Sequence, residues 1–160
     1  MCSSDLLAGR RINLEFVSAN PTGPLHAGGA RWVAAGDALA NLLAAQGAEV
    51  HREYYLNDTG NQLVTFAASL SARYHGTPLP EDGYVGEYLV VLAAELRAEH
   101  GDTLGDDELC ELGLRRIVDG IRGDLERIGV HFDTWFSERT LHARGDVADV
   151  LRIQIGRAHV

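Results

Sequence analysis

The run Ser18-Ala19-Asn20-Pro21-Thr22-Gly23-Pro24-Leu25-His26-Ala27-Gly28-Gly29 constrains this chain more than any other segment. Two prolines and three glycines within it interrupt both helix and strand, so it must be a loop. On its N-terminal side Ile12, Leu14 and Phe16 alternate with Asn13 and Glu15, the period of a strand. On its C-terminal side the pattern predicts a helix from Ala30 to about Gln46, with Leu39, Leu42 and Leu43 inward and Gly47 as its stop. A second strand is expected over Glu49 to Leu56. Strand, loop, helix, strand is the order of half a parallel α/β nucleotide-binding sheet, and that is the expected fold class.

Beyond it, Asn57-Asp58-Thr59-Gly60 reads as a turn in which Asp58 or Thr59 caps the next helix. That helix carries Leu63, Phe66, Leu70 and Tyr74 on one face. A Pro/Gly/acidic loop over Thr77 to Gly86 precedes a short helix with Leu89, Leu92, Ala93 and Leu96. The longest helix is predicted over about Asp106 to Ile128, with a stripe of Cys110, Leu114, Ile117, Val118, Ile121, Leu125 and Ile128. Cys110 on that stripe reads as a core residue rather than a reactive thiol. Val130 to Phe136 is expected to be a third strand, and Asp146 to Arg152 opens a further element. The stretch from about 66 to 128 thus reads as a helical insertion between sheet strands.

Composition narrows the function. The net charge is −9, which argues against a dedicated nucleic-acid-binding module. Residues 1–56 carry −1 of it and residues 57–160 carry −8, so the acidity belongs to the inserted helices and their flanks. All 14 basic residues are Arg. A phosphate-loop or Schiff-base lysine is therefore not available within the chain. Cys2 and Cys110 make neither a metal spacing nor a disulfide framework, and no metal site is expected. With no signal segment at the start and no long apolar run, the expected location is cytoplasmic. One further peculiarity concerns the ends. A single DNA segment and its reverse complement can encode both Met1-Cys2-Ser3-Ser4-Asp5-Leu6 and Gln154-Ile155-Gly156-Arg157-Ala158-His159. Residues 1–6 and 154–160 are therefore expected to be adaptor-encoded. The genuine sequence is then expected to be 7–153, part of a longer protein.

The loop carries the chemistry. In an open parallel sheet, ligands sit at the carboxyl ends of the strands, beside helix N-termini. The amides of Gly28, Gly29 and Ala30 are expected to point at an anion there. His26 would place an imidazole beside it, able to stabilise charge on a transferring phosphoryl or nucleotidyl group. Taken alone, His-x-Gly-Gly is also what a His near a tight turn looks like. The motif is not a P-loop, because no Gly-Lys-Ser/Thr follows, and Gly-x-Gly-x-x-Gly does not occur. Glu15 at the end of a buried strand calls for a cationic partner such as a guanidinium, unless it is an exposed strand-face acid. Asn20 could orient a carboxylate or an amine, or could form an Asx-turn before Pro21.

Four segments carry a resemblance. Glu15 to Gly29, Arg52 to Gln62, Pro80 to Tyr88 and Phe132 to Glu138 together look like arginyl-tRNA synthetase, a class I aminoacyl-tRNA synthetase. They occur in the family's order, and the resemblance covers nearly all of Leu7 to Arg152. The resemblance implies the first half of a class I Rossmann-like sheet with a helical insertion. His26, Ala27, Gly28 and Gly29 match the ATP-binding His-Ile-Gly-His motif, with Gly29 where the family usually has its second His. His26 then stabilises the transition state at the α-phosphate as the catalytic residue. Glu15, Ser18 and Asn20 match positions that hold the substrate arginine, and Asp58 and Gln62 match a turn at the rim of the site. The implied reaction joins L-arginine to ATP as arginyl-adenylate and then transfers it to tRNA(Arg), with Mg2+ accompanying ATP. The tRNA would be held mostly by regions outside this chain. The family's second half-sheet, Lys-Met-Ser-Lys-Ser loop and anticodon-binding domain do not occur in these residues, so the chain alone is not expected to aminoacylate tRNA. The rival readings are another ATP-binding nucleotidyltransferase of related fold, and a non-catalytic relative.

Overall fold

A computed structural model of the protein describes residues 5–158. Of the two stretches expected to be adaptor-encoded, Met1–Ser4 and the last two residues lie outside the described residues. The chain begins its regular structure with strand β1 (Arg11–Glu15), then helix α1 (Ala27–Ala45) and strand β2 (Glu49–Leu56). Three helices follow, α2 (Gly60–His75), α3 (Glu87–His100) and α4 (Asp106–Arg127). Strand β3 (Thr134–Ser137), helix α5 (Arg139–Arg144) and helix α6 (Asp146–Ala158) complete it. The strands form one sheet in the order β1-β2-β3, parallel throughout. Ile12 lies beside Val50 and Tyr54 beside Trp135. The α/β class read from the sequence is the class observed, with α2, α3 and α4 interposed between β2 and β3.

Two apolar clusters build the molecule. Phe16, Val33, Tyr54, Leu56, Ile121, Leu125 and Val130 close over one face of the sheet. Phe66, Leu70, Tyr74, Leu89, Leu92, Ala93, Leu96 and Leu109 form the core of the interposed helices. α4 spans both, with Leu109 in the helical core, Ile121 and Leu125 under the sheet, and Ile117 packed against each. Gly113 allows this crossing: a Cβ there would stand 2.3 Å from the Leu70 side chain.

Three sequence expectations are corrected. The inward face of α1 is not the leucine stripe. Gly29, Val33, Gly36 and Ala40 are its buried residues, while Leu39 and Leu42 are exposed. Small side chains let the helix sit directly on the sheet; a Cβ at Gly36 would lie 2.1 Å from the Phe16 ring. Likewise, β3 starts at Thr134 rather than Val130. Val130 and Phe132 turn into the aromatic core instead, and the Asp133 carboxylate takes the Arg52 amide that a ladder residue would otherwise bind (2.8 Å). Finally, α2 has Thr59 at its N-cap with no side-chain cap bond, and Asp58 is used elsewhere. On α4, Cys110 is half-buried and Ile128 is exposed, so the stripe runs off the core at both ends.

Candidate functional site

The first turn after β1 is strained. Val17 and Ser18 have φ of 65° and 41°, values that a β-branched residue such as valine strongly avoids. The Ser18 amide donates to the Phe16 carbonyl at 2.9 Å, closing a γ-turn around Val17. Such strain persists only where surroundings over-determine it, and here they do. The Tyr55 amide on β2 donates to Ser18 Oγ at 3.1 Å. The Tyr54 hydroxyl donates to the Ala19 carbonyl at 3.1 Å. From α3, the Tyr88 hydroxyl donates to the Thr22 carbonyl at 2.6 Å, and Pro21 is fully buried. The interposed helices therefore hold the loop from one side and the sheet holds it from the other.

At the far end of the loop, His26 is the N-cap of α1. Its Nδ1 accepts the Gly28 amide at 3.0 Å, and its carbonyl accepts from the amides of Gly29 (2.8 Å) and Ala30 (3.3 Å). The expectation that the amides of Gly28, Gly29 and Ala30 point at an anion is therefore corrected: the helix starts at Ala27, and His26 takes all three. An imidazole that accepts at Nδ1 carries its proton on Nε2 when neutral. The cap thus leaves Nε2–H as the group His26 can offer a ligand. Gly28 permits this fold-back, since a Cβ there would meet the ring at 2.8 Å. At Gly29 a Cβ would meet only Leu25 at 3.6 Å, so sterics do not demand glycine there. A cleft of about 380 Å3 opens beside His26, lined by Leu25, Ala30, Asp124, Arg127 and Ile128.

The amide side chains converge. Asn20 Oδ1 accepts from Asn57 Nδ2 at 3.1 Å, and Asn20 Nδ2 donates to Gln62 Oε1 at 2.5 Å. No hydrogen bond from Asn20 closes an Asx-turn before Pro21. Asp58 is buried, with its carboxylate accepting from Ser137 Oγ (2.6 Å) and the Arg139 amide (3.2 Å). Arg139 also donates to the Asp58 carbonyl at 2.9 Å and to Glu111 at 2.6 Å. Asp58 is therefore a clamp between the end of β2 and α5, and α2 goes without it as a cap.

Glu15 stands apart. Its position at the end of a buried strand is corrected, because this face of β1 is exposed and Glu15 with it. Among the described residues it makes no ion pair, and it lies in register beside Glu53. Burial first, and then the carboxylates of Glu138, Asp58 and Glu15, push the Tyr55 phenol above its ordinary value. The carboxyl end of the sheet is thus an acidic neighbourhood. Glu138, Tyr55 and Asn57 belong to it, and single-residue reading did not pick them out. Only register across β1, β2 and β3 brings them together.

A parallel sheet with a His-capped helix after its first strand is the opening half of an open, Rossmann-like α/β sheet, in which ligands sit at the carboxyl ends of the strands. No family model matches the chain. It is similar to arginine–tRNA ligases of Heliobacterium modesticaldum (47% identity over 161 residues), Micrococcus luteus (45% over 163) and Pseudarthrobacter chlorophenolicus (44% over 160). These matches cover 93%, 98% and 96% of the chain respectively, and 29% of each relative. Among solved structures, a candidate arginyl-tRNA synthetase from Campylobacter jejuni superposes with a TM-score of 0.71 at 33% identity, over 88% of this chain and 34% of that one. The Thermus thermophilus arginyl-tRNA synthetase shares the fold with a TM-score of 0.62 at 24% identity, over 89% of this chain and 26% of its own. The chain matches a fragment of arginine–tRNA ligases, as the four segments implied.

Proposed function

We propose that this chain is the first half of the adenylate-forming site of an arginine–tRNA ligase. The observation that carries the reading is the pairing of an unengaged Glu15 carboxylate, in an acidic sheet end, with a His26-capped helix reached by the same loop. The cationic guanidinium of L-arginine suits Glu15, with Ser18 and Asn20 holding the loop that shapes its surroundings. Gln62 orients Asn20, and Asp58 fixes the rim by clamping β2 to α5.

In the first step an arginine carboxylate oxygen attacks the α-phosphorus of ATP. The bond to the bridging oxygen breaks, and pyrophosphate leaves with that electron pair. His26 Nε2–H donates to the α-phosphate oxygens as negative charge builds on them. Ala27, Gly28 and Gly29 keep the helix start free of bulk, so the nucleotide approaches the backbone. In the second step the terminal ribose hydroxyl of tRNA(Arg) attacks the arginyl carbonyl and AMP leaves. Catalysis is positioning plus electrostatics, with no covalent enzyme intermediate. Mg2+ accompanies ATP through its phosphates; among the described residues no group of His, Cys, Asp or Glu could hold a metal ion by itself. Most tRNA contacts belong to the remainder of the ligase, so this chain alone does not charge tRNA. The ligase works in the cytoplasm. Among the described residues no helix is long and apolar enough to cross a membrane.

The test is calorimetric titration of the chain with L-arginine and with L-citrulline, its uncharged isostere. L-arginine is expected to bind at least about tenfold more tightly, as a charge-assisted bidentate pair requires. Equal binding of the two would overturn the assignment of Glu15. ATP binding without arginine selectivity would favour another nucleotidyltransferase.

A further inference from the structure

The loop that carries His26 is held at its two ends by different parts of the molecule. Residues 18–20 are fastened by β2 and the start of α2. Tyr55 bonds Ser18, Tyr54 bonds Ala19, and Asn57 and Gln62 bond Asn20. Beyond Asn20 the attachment changes. Among the described residues, Tyr88 is the one side chain that hydrogen-bonds to residues 21–25, through the Thr22 carbonyl at 2.6 Å. Leu25 adds packing against the sheet core, an apolar contact that gives proximity but little direction.

Tyr88 stands on a firm platform. It lies in the first turn of α3, and its ring packs against the core of the interposed helices. The segment that leads into α3 is tied to α2: the Tyr84 amide donates to Ser69 Oγ at 2.9 Å, and the buried Ser69 hydroxyl donates to the Thr65 carbonyl at 2.6 Å. Burial first, and then Tyr84, raise the Tyr88 phenol above its ordinary value, so it stays a neutral donor near neutral pH. Stiffness then carries the hold along the loop. Pro21 and Pro24 fix their own φ, and Pro24 also restricts Gly23 before it. Gly23 is the soft position between them, and the Tyr88 ring closes against it: a Cβ there would stand 3.3 Å from that ring.

We infer that Tyr88 is a positioning residue for His26, a role that rests, for its catalytic consequence, on the adenylate-forming reading of the site. The α3 phenol fixes the Thr22 carbonyl, and with it the approach of the chain to the start of α1. The interposed helices thereby set where the imidazole stands, while the sheet and its margin set the arginine side of the same loop. Tyr88 acts through the loop backbone and not on the reacting atoms.

Tyr88→Phe removes the hydroxyl and keeps the ring. Hydrogen exchange of the chain, followed by NMR, gives the first reading. The amides of Gly28, Gly29 and Ala30, which His26 holds, are expected to exchange at least about fivefold faster, the ratio that one lost hydrogen bond allows. Tyr74→Phe is the matched control, because it deletes a phenol-to-carbonyl bond, to Gly101, in the same helical core. A bond that only stabilises would act alike in both variants; positioning predicts faster exchange at 28–30 in Tyr88→Phe alone. The second reading is arginine-dependent pyrophosphate exchange in a full-length form of the ligase. There Tyr88→Phe is expected to lower kcat at least about tenfold, as misplacement of a catalytic group does. KM for L-arginine should stay within about twofold, because the arginine side of the loop keeps its own bonds. Amides 28–30 that keep the wild-type rate, equal acceleration in Tyr74→Phe, an unchanged kcat, or a loss that falls on KM for L-arginine would each overturn the role of Tyr88. A wild-type ligase with no exchange activity would overturn the adenylate-forming reading instead, and the amide rates would still decide whether Tyr88 positions the loop.

Discussion

His26 caps α1, and the proposed function gives it a second job that substitution can separate. As the N-cap it holds the first amides of α1; in the proposed reaction it would offer Nε2–H to a phosphate. His26→Ala is expected to cost about 1 kcal/mol of stability, the worth of a lost cap. His26→Asn can still accept from the Gly28 amide and should restore most of that. Neither variant should support arginine-dependent pyrophosphate exchange in a full-length form of the ligase. Urea denaturation reads the first effect and isotope exchange the second; exchange retained by His26→Asn would remove the imidazole from the chemistry. Glu15→Gln should leave stability within about 0.5 kcal/mol, as expected for an exposed residue, while reducing L-arginine binding at least about tenfold. The buried Asp58 behaves differently. Asp58→Ala strands Ser137 Oγ and the Arg139 amide and is expected to cost about 2 kcal/mol in urea denaturation. At this scale the sequence named the candidate site residues but not their partners. Asp58 read as a possible cap because Asp before a helix usually caps it. Ser137 and Arg139 win it because the return of the chain along β3 brings two donors to it.

Among the elements, α1 and α4 show how size decides which face is buried. Leucines at 39, 42 and 43 marked an apparent core face, yet Gly29, Val33, Gly36 and Ala40 lie against the sheet. Close approach of helix to sheet outweighs the hydrophobicity of any one side chain, because the loop after β1 delivers α1 directly over Phe16. Gly36→Ala would place a methyl group inside the Phe16 ring contact, and is expected to cost about 1 to 3 kcal/mol by overpacking, read as a lower urea midpoint. An unchanged midpoint would show that α1 can lift off the sheet freely. β2 and α3 were legible in full, because their patterns are local: alternation in the strand, and Leu89, Leu92, Ala93 and Leu96 in the helix. β3 was legible only in part. Val130 and Phe132 alternate like strand residues, but an aromatic cluster claims them. There Phe132 meets Phe16 at 4.5 Å, and Tyr54 stacks on Trp135 at 4.3 Å.

For the whole molecule, that cluster sets an alkaline limit. Burial pushes the Tyr54 phenol up to about 12, with its hydrogen bond to Ala19 pulling the other way. A folded-state value above the unfolded one of about 10 means the native state holds the proton more tightly. The associated stability, roughly 2 to 3 kcal/mol, is therefore fully present below about pH 10 and is lost as pH rises through about 12. Urea denaturation between pH 9 and 12 should show that decline, and Tyr54→Phe should flatten it. Cys110, half-buried on α4, gives a separate readout. Burial and the nearby Glu111 raise its thiol, less thiolate is present at neutral pH, and alkylation should run slower than for a free cysteine.

The sequence by itself determined the alternation of strand and helix, the loop that must interrupt them, the acidity of the inserted helices and the resemblance to part of the arginine–tRNA ligases. Those follow from local patterns and from ordered motifs, which need no knowledge of what lies across the sheet. Only the tertiary structure decided that the loop is held by Tyr54, Tyr55 and Tyr88, and that Asn57 and Gln62 brace Asn20. It also decided that His26 spends Nδ1 on its own helix, and that Glu15, which makes no ion pair among the described residues, lies in register beside Glu53. Each of these depends on register and on residues tens of positions apart, where the free energy of a contact is set by which partner the fold brings within reach and how well it fits, not by one residue alone.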